Sequence, residues 1–393
     1  MLTYNQGVAS EIMLNKNSEI VWLGPVFDQS TLHSAAAVSP AGNRWQLGLI
    51  RALQQLGGKI NVIGHLPEPV WPRGRLYVKD ADGNMPSDIH GHITGYWNLP
   101  AIRNSSLMRG YHELIQQNCS IKDSMGVVIT YNGSPVNVAG ATYARRRYGA
   151  PWVCIVADDE APPNADGYVF LSWGYHQSFV HTKPKLHLDG GVTEIRFPAN
   201  ESGCRIDAER QVVMYTGSLA PLAGADFLAR TFRHVKSRKA ELWICGKGSN
   251  REVEHLAAND SRIKLMGLVP EMELERLMKR AAVFVNPRPS HLPGNEKNFP
   301  SKLFEYLSYG KPIISTWTPG LSPEYRDMLI VPERETEGCL ATHIENVLEW
   351  EHKQRQLFAK RVAIFVENHL WSVQAAKFAW WLAQENLLHA SSR

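Results

Sequence analysis

The sequence predicts an α/β protein of two domains, each built on a parallel sheet covered by helices. Three observations carry this. The chain has 393 residues, more than one ordinary core accommodates. Its second half alternates short apolar runs with helical patterns, and near-continuous apolar strands mark a sheet covered on both faces. Its first half repeats that alternation less cleanly. With 44% apolar and 20% charged residues, the composition supplies two cores and gives no signal of disorder.

Taken in order, "EIVWLG" (19–24) reads as the first strand. Residues 41–56 place Trp45, Leu49, Ile50, Leu53 and Leu56 at helical spacing before a Gly57-Gly58 stop, as a crossover helix does. "KINVIG" (59–64) is the next strand. Residues 66–120 are poorly patterned and predict an irregular insertion with one helix near 105–118. "GVVITY" (126–131), "PWVCIV" (151–156) and "GYVFLS" (167–172) are further strands, with a helix over 134–148. Apolar pattern is lost across 197–210, which sets the expected domains at 1–200 and 201–370. In the second domain "QVVMYTG" (211–217), "AELWICGKG" (240–248), "RIKLMGLV" (262–269), "AAVFVNP" (281–287), "KPIIST" (311–316) and "DMLIVP" (327–332) read as strands. Helical patterns at 222–236, 250–258, 271–280 and 301–309 separate them. The closing segment 371–393 opens with a Trp- and Ala-rich helix over 371–388.

The formal net charge of +4 is small and dispersed, which argues against nucleic acid. It permits an acidic small substrate or weak peripheral contact with an anionic membrane surface. The five cysteines, 119, 154, 204, 245 and 339, are scattered and form no C-x-x-C, so the spacing indicates neither zinc nor a disulfide framework. No apolar segment approaches 18 residues, and no basic region followed by an apolar run opens the chain. A cytoplasmic protein is expected.

Two open α/β sheets joined in this way leave a cleft, and ligands of such sheets bind beyond the carboxyl ends of the strands. The loops there are therefore the candidate site. "NEKNFPSKLFEYLSYGKPII" (295–314) is the most informative. Pro300 suits a helix entry, Leu303, Phe304 and Leu307 form an apolar stripe, and Gly310 suits the cap. Lys302 falls in the first turn, where the helix dipole penalises a cation by roughly 0.3–1 kcal/mol. An anion held between Lys302 and the helix-end N–H groups would resolve the conflict. Glu305, three residues on, has the geometry to accept a sugar diol. Phosphate plus diol describes a nucleotide; an exposed Lys302–Glu305 pair is the plainer account. Gly217, ahead of a further helix start, permits close backbone approach. Gly246 and Lys247 in "GKG" suit a phosphate or base, and "GLVP" (267–270), with Leu268, suits a nucleobase; each alone is also an ordinary turn.

From about 211 to 331 the chain resembles the nucleotide-sugar half of GT-B glycosyltransferases, most closely glycosyltransferase family 4. The resemblance is carried by "TGSL", "LWICGKGS", "IKLMGLVPEMELERLMKRAAVFVNP" and above all "NFPSKLFEYLSYGKPIIST", and extends weakly to "WSVQAAKFAWWL" (371–382). It implies two Rossmann-like domains facing across a cleft, with the C-terminal helix crossing back to the N-terminal domain. It implies that Glu305 holds the donor ribose, that Ser301 and Lys302 meet the diphosphate, and that the Leu303 backbone lies near the base or ribose. Many members carry two glutamates eight apart, but eight before Glu305 stands Lys297, with Glu296 one short of register. A basic pair common in the family matches the uncharged Ser218 and Ala223. Lys302, with Lys247 or Arg288, is expected to supply the missing charge.

In the first half, "SPAGNRW" (39–45) resembles the family's small-residue loop, so Gly42 and Asn43 are expected to approach donor phosphate or acceptor; a capped helix start explains them equally well. "VADDEAPP" (156–163) stands where many members have a catalytic-region histidine. Asp158 or Asp159 is then expected to orient the acceptor hydroxyl or serve as base, with metal binding or plain loop acids as alternatives. Arg73 and Arg75 in "WPRGR" suit an anionic acceptor or a solvated loop. The expected activity is transfer of a sugar from a nucleoside diphosphate sugar to a carbohydrate or lipid-linked acceptor. By the resemblance it proceeds with retention and serves glycoconjugate synthesis, without cofactor or essential metal. A non-catalytic sugar-nucleotide-binding protein and a GT-B nucleotide-sugar epimerase are the alternatives.

Overall fold

The computed structural model describes residues 19–34, 38–118, 125–197, 210–295 and 297–388. They form two compact units. The first holds the chain up to Leu171, His176–Gly191 and the segment from Trp371 onward; the second holds Ser172–Tyr175 and Val192–Leu370. Most of the expected join at 197–210 lies outside the described residues, as do Cys119, Cys204 and Glu296.

The first unit runs β1 (Glu19–Leu23), α1 (Gln29–Ser34), α2 (Pro40–Gln55), β2 (Lys59–His65), β3 (Tyr77–Val78), β4 (Gly91–Thr94), β5 (Tyr96–Trp97), α3 (Arg103–Asn118), β6 (Met125–Tyr131), α4 (Pro135–Tyr148), β7 (Trp152–Val156), β8 (Gly167–Phe170), α5 (Trp173–Ser178, shared with the second unit) and β9 (Lys185–His187). Its sheet has the parallel order β4-β2-β1-β6-β7-β8-β9. The helices start and stop where local chemistry directs. The Ser39 hydroxyl accepts from Gly42 N ahead of α2, Ser134 caps α4, and Gly149 ends α4 with φ +71°. The insertion after β2 contains the antiparallel β3–β5 pair and α3.

The second unit runs β10 (Gln211–Thr216), α6 (Ala225–Phe232), β11 (Ala240–Cys245), α7 (Arg251–Asn259), β12 (Ile263–Gly267), α8 (Glu271–Arg280), β13 (Ala281–Asn286), α9 (Lys302–Leu307), β14 (Ile313–Ser315), α10 (Glu337–Leu348) and α11 (His352–Asn368). Its parallel sheet has the order β12-β11-β10-β13-β14. In both sheets the chain winds outward from one strand and then reverses to its other side, the doubly wound Rossmann topology. The switch points fall between β1 and β6 and between β10 and β13. One core joins Val213, Leu242, Ile244, Val283 and Val285 of the strands to Leu228 and Phe232 of α6 and Leu340 and Ile344 of α10.

Two features of the second unit differ from the sequence expectation. Residues 327–332 form no full strand. Only Ile330 pairs, its N–H and carbonyl bonded to Ile313 O and Ser315 N, because the run is confined between the turn at 323–325 and Pro332. Helices α10 and α11 fill 337–368, which the sequence reading left unassigned. The final helix, α12 (Trp371–Gln384), packs on α2 within the first unit, Trp371 edge-on to Trp45 with ring centroids 5.6 Å apart. Among the described residues no helix is long and apolar enough to cross a membrane.

Candidate functional site

The carboxyl ends of β10, β11 and β12 are joined by their own backbone. Gly217 N donates to Cys245 O at 2.9 Å, Leu219 N to Lys247 O at 3.1 Å and Gly246 N to Gly267 O at 2.8 Å. The loops bearing Gly217, Ser218, Gly246, Lys247 and Leu268 are therefore one continuous edge. Gly246 is obligatory there: a Cβ would lie 1.6 Å from Gly217 O. Ser218 and Lys247 are exposed, and Leu268, at 62% exposure, stands on the rim just past Gly267, which has φ +66°.

Helix α9 is fastened to this edge by Tyr306. The buried phenol accepts from Thr216 N at 2.8 Å and donates to Thr216 O at 3.1 Å, and its ring stacks on Phe284 at 4.6 Å. Since Thr216 ends β10 and Phe284 lies in β13, Tyr306 sets the start of α9 at the switch point. Pro300 and Leu303 are buried; Leu303 N donates to Pro300 O, and Ser301, half-buried, has helical dihedrals.

Lys302 and Glu305 form an ion pair in this structure, Nζ to Oε2 2.6 Å, with both side chains about three-quarters buried (26% and 22% exposed). The pairing read from the sequence is thus present, but part-buried rather than exposed. Glu305 places an acid in the first turn and offsets the cation at the positive end of the dipole. The Lys302 charge also reaches the end of β11. Burial pushes the Cys245 thiol up to about 11, and Lys302 pulls it the other way. Arg288, after β13, donates to Asn295 Oδ1 at 3.2 Å, while Asn295 Nδ2 spans Leu222 O and Pro289 O. Lys297 lies 4.8 Å from the centre of the Tyr175 ring.

In the first unit Gly42 lies against Tyr131, at the end of β6. A Cβ on Gly42 would meet its phenol oxygen at 3.1 Å. Burial pushes the Tyr131 phenol up, and the carboxylates of Asp158 and Asp159 add to the shift. Asn132 shapes that loop: at φ +63° its Oδ1 accepts from Ala157 N at 2.8 Å and Asp158 N at 3.2 Å. Asp158 and Asp159 are exposed. Asn43 is not: it is buried, and its amide exchanges two bonds with the Phe27 backbone, at 2.8 and 3.0 Å. It ties the loop after β1 to α2. Arg73 lies apart, exposed in the insertion after β2, where Trp71, Leu76, Tyr77 and Trp97 are each 44–49% exposed. The buried Asn98 organises this surface, donating from Nδ2 to Pro69 O and Arg75 O, both at 2.8 Å. Sequence reasoning missed Tyr306, Tyr131 and the aromatic surface. Only the last left a signal, the crowding of Trp, Tyr and Arg in an unpatterned segment.

Residues 210–349 match the family model described as glycosyl transferases group 1. No curated protein matches the chain. Among solved structures, a glycosyltransferase from Rickettsia africae is similar at 14% identity and TM-score 0.68, over 94% of this chain and 99% of that one. Sucrose-phosphate synthase from Thermosynechococcus elongatus is similar at 14% identity and TM-score 0.67, over 93% and 98%. Anabaena HepE in complex with UDP is similar at 13% identity and TM-score 0.61, over 93% and 100%. The chain thus takes the two-domain fold of the GT-B glycosyltransferases, and its residues 210–349 match glycosyl transferases group 1.

Proposed function

We propose that the protein transfers a sugar from a nucleoside diphosphate sugar to an acceptor hydroxyl, with retention and without an essential metal. The observation that carries this reading is the Lys302–Glu305 pair, fastened by Tyr306 beside three stitched strand-end loops at the switch point of the second sheet. The group 1 match over 210–349 supports it independently. On donor binding the pair divides: Lys302 turns to the diphosphate and Glu305 to the ribose hydroxyls. Gly217, Gly246 and Lys247 border the phosphates, and Leu268 borders the base.

In the transfer step the acceptor oxygen bonds to the anomeric carbon as the bond from that carbon to the phosphate oxygen breaks. The electron pair leaves on the diphosphate, where Lys302 stabilises it. The acceptor proton passes to Asp158 or Asp159 or to the departing phosphate. The acceptor is a carbohydrate or a lipid-linked sugar, and the exposed Trp71, Tyr77 and Trp97 offer faces on which sugar rings stack. Arg73 and Arg75 flank them, although Arg75 is held by Glu68 at 3.1 Å. Placement in the cytoplasm, with weak peripheral membrane contact, accords with this acceptor class.

A second reading, nucleotide binding without turnover, is favoured by the uncharged Ser218 and Ala223 and by Lys297 in place of an acid. The test is release of nucleoside diphosphate from a panel of UDP-, GDP-, ADP- and dTDP-sugars, with and without simple sugar acceptors and with and without EDTA. Acceptor-stimulated release that persists in EDTA and falls at least about 100-fold in Glu305→Ala supports transfer. Nucleotide binding with no release from any donor selects the second reading.

A further inference from the structure

We propose that Glu333, Cys339 and His343 form a binding site for a divalent cation of the zinc class, apart from the nucleotide edge. Cys339 and His343 stand four residues apart on α10 and so share one side of the helix, while Leu340, Ala341 and Ile344 of the same helix are buried in the core. Thr336 fixes the register, since its hydroxyl accepts from Cys339 N at 3.4 Å and caps the helix. Glu333 enters from the segment leading into α10. One ligand atom from each side chain lies within 4.8 Å of the other two, and Cys339 Sγ is 3.9 Å from His343 Nδ1. Cys339 Sγ is 3.4 Å from Glu333 Oε2, and His343 Nε2 is 3.6 Å from the same oxygen. Ligands at zinc bond lengths on a tetrahedron stand about 3.3–3.6 Å apart, so these separations need little change to close on an ion.

The histidine is already in the right tautomer. His343 Nδ1 lies 2.9 Å from Cys339 O, and a carbonyl only accepts, so Nδ1 carries the proton. In the neutral ring the lone pair is then on Nε2, the nitrogen facing Glu333. A backbone carbonyl on the second ring nitrogen is the usual support of a metal-bound histidine. The trio combines thiolate, imidazole and carboxylate, which suits zinc, with water completing the shell. The site is open to ions: Glu333 is 76% exposed, while the His343 side chain is only 17% exposed and held. Binding releases the Cys339 thiol proton to solvent and involves no redox change. It pins the segment before α10 to the helix. The same segment holds the loop after β13, because Glu335 Oε2 accepts from Ser290 N at 3.0 Å.

The experiment titrates Co2+ into the EDTA-treated full chain and follows its absorption, then displaces it with Zn2+. The expected result is a thiolate-to-cobalt band in the near ultraviolet with the strong visible bands of a four-coordinate ion, both removed by Zn2+. Cys339→Ser should abolish the thiolate band, and His343→Ala and Glu333→Gln should each weaken binding about tenfold or more. Unfolding midpoints of the metal-free variants check that each still folds, and Zn2+ should raise the midpoint of the wild type more than that of any variant. A spectrum no different from aqueous Co2+, a thiolate band that survives Cys339→Ser, or equal affinities across the wild type and variants would overturn the proposal.

Discussion

Tyr306 joins two positions 90 residues apart, and its hydroxyl both accepts from and donates to Thr216. Tyr306→Phe leaves the buried Thr216 backbone groups without that partner and should cost about 1–3 kcal/mol. Because α9 is then less firmly held, nucleotide affinity should fall as well; denaturant unfolding and a nucleotide titration measure the two effects. His65, at the end of β2, gives a pH signature. Burial, aided by the Arg103 charge, lowers it to about 4, and its Nδ1 lies 3.0 Å from the Tyr111 hydroxyl. An unfolded histidine titrates near 6.5. Between about 6.5 and 4 the unfolded chain therefore binds the proton that the folded chain refuses, so stability is full above 6.5 and declines as pH falls toward 4. His176 is also lowered to about 4, by burial first and then by His187 and Lys185. His65→Gln should thus remove part of the loss in urea midpoint between pH 7 and pH 5; an unchanged loss would refute the assignment. At this scale the sequence showed the oddity of Lys302 and its relation to Glu305, since both depend on helical spacing alone. It did not reveal Tyr306, Tyr131 or the inward turn of Asn43, because each role is set by a partner distant in the chain.

Among elements, the contact of α2 with α12 is set by a missing side chain. A Cβ on Gly48 would lie 2.2 Å from ring atoms of Trp371, a ring confined by Trp45. Gly48→Ala gains helix propensity of about 1 kcal/mol but overpacks this contact by about 1–3 kcal/mol. A net fall in the unfolding midpoint is expected, with recovery when Trp371→Leu is added; additive losses would show that the two sites are not coupled. Most strands and helices were legible from periodicity and end signals, since Ser39, Ser134 and Gly149 act locally. Helices α10 and α11 were not. Part of what holds them is Arg355, buried at 2% exposure, which donates to Trp350 O, Ala282 O and Val347 O. A buried arginine reads from sequence as a surface charge, so it blurs the apolar stripe. The proposed Glu333–Cys339–His343 site had no sequence signal either: its spacing fits no familiar motif, and Glu333 comes from outside the helix.

At the scale of the whole molecule, the doubly wound order of both sheets puts candidate residues on strand ends, and the best-defined group is on the second unit. That unit was also where the sequence spoke most clearly, in "NFPSKLFEYLSYGKPIIST". Donor identity was not legible, because base and sugar are chosen by loops whose backbone path depends on the packed fold. The proposed function requires a nucleoside diphosphate to bind at this edge with its phosphates on Lys302. The most direct measurement is calorimetric titration of UDP, GDP, ADP and dTDP, and of the matching nucleosides, into the wild type and Lys302→Ala. One diphosphate should bind the wild type and lose at least about tenfold, or 1.4 kcal/mol, in the variant, while its nucleoside binds both alike. Binding of no diphosphate, or equal affinity in both proteins, would rule out Lys302 as the phosphate-binding residue of this edge.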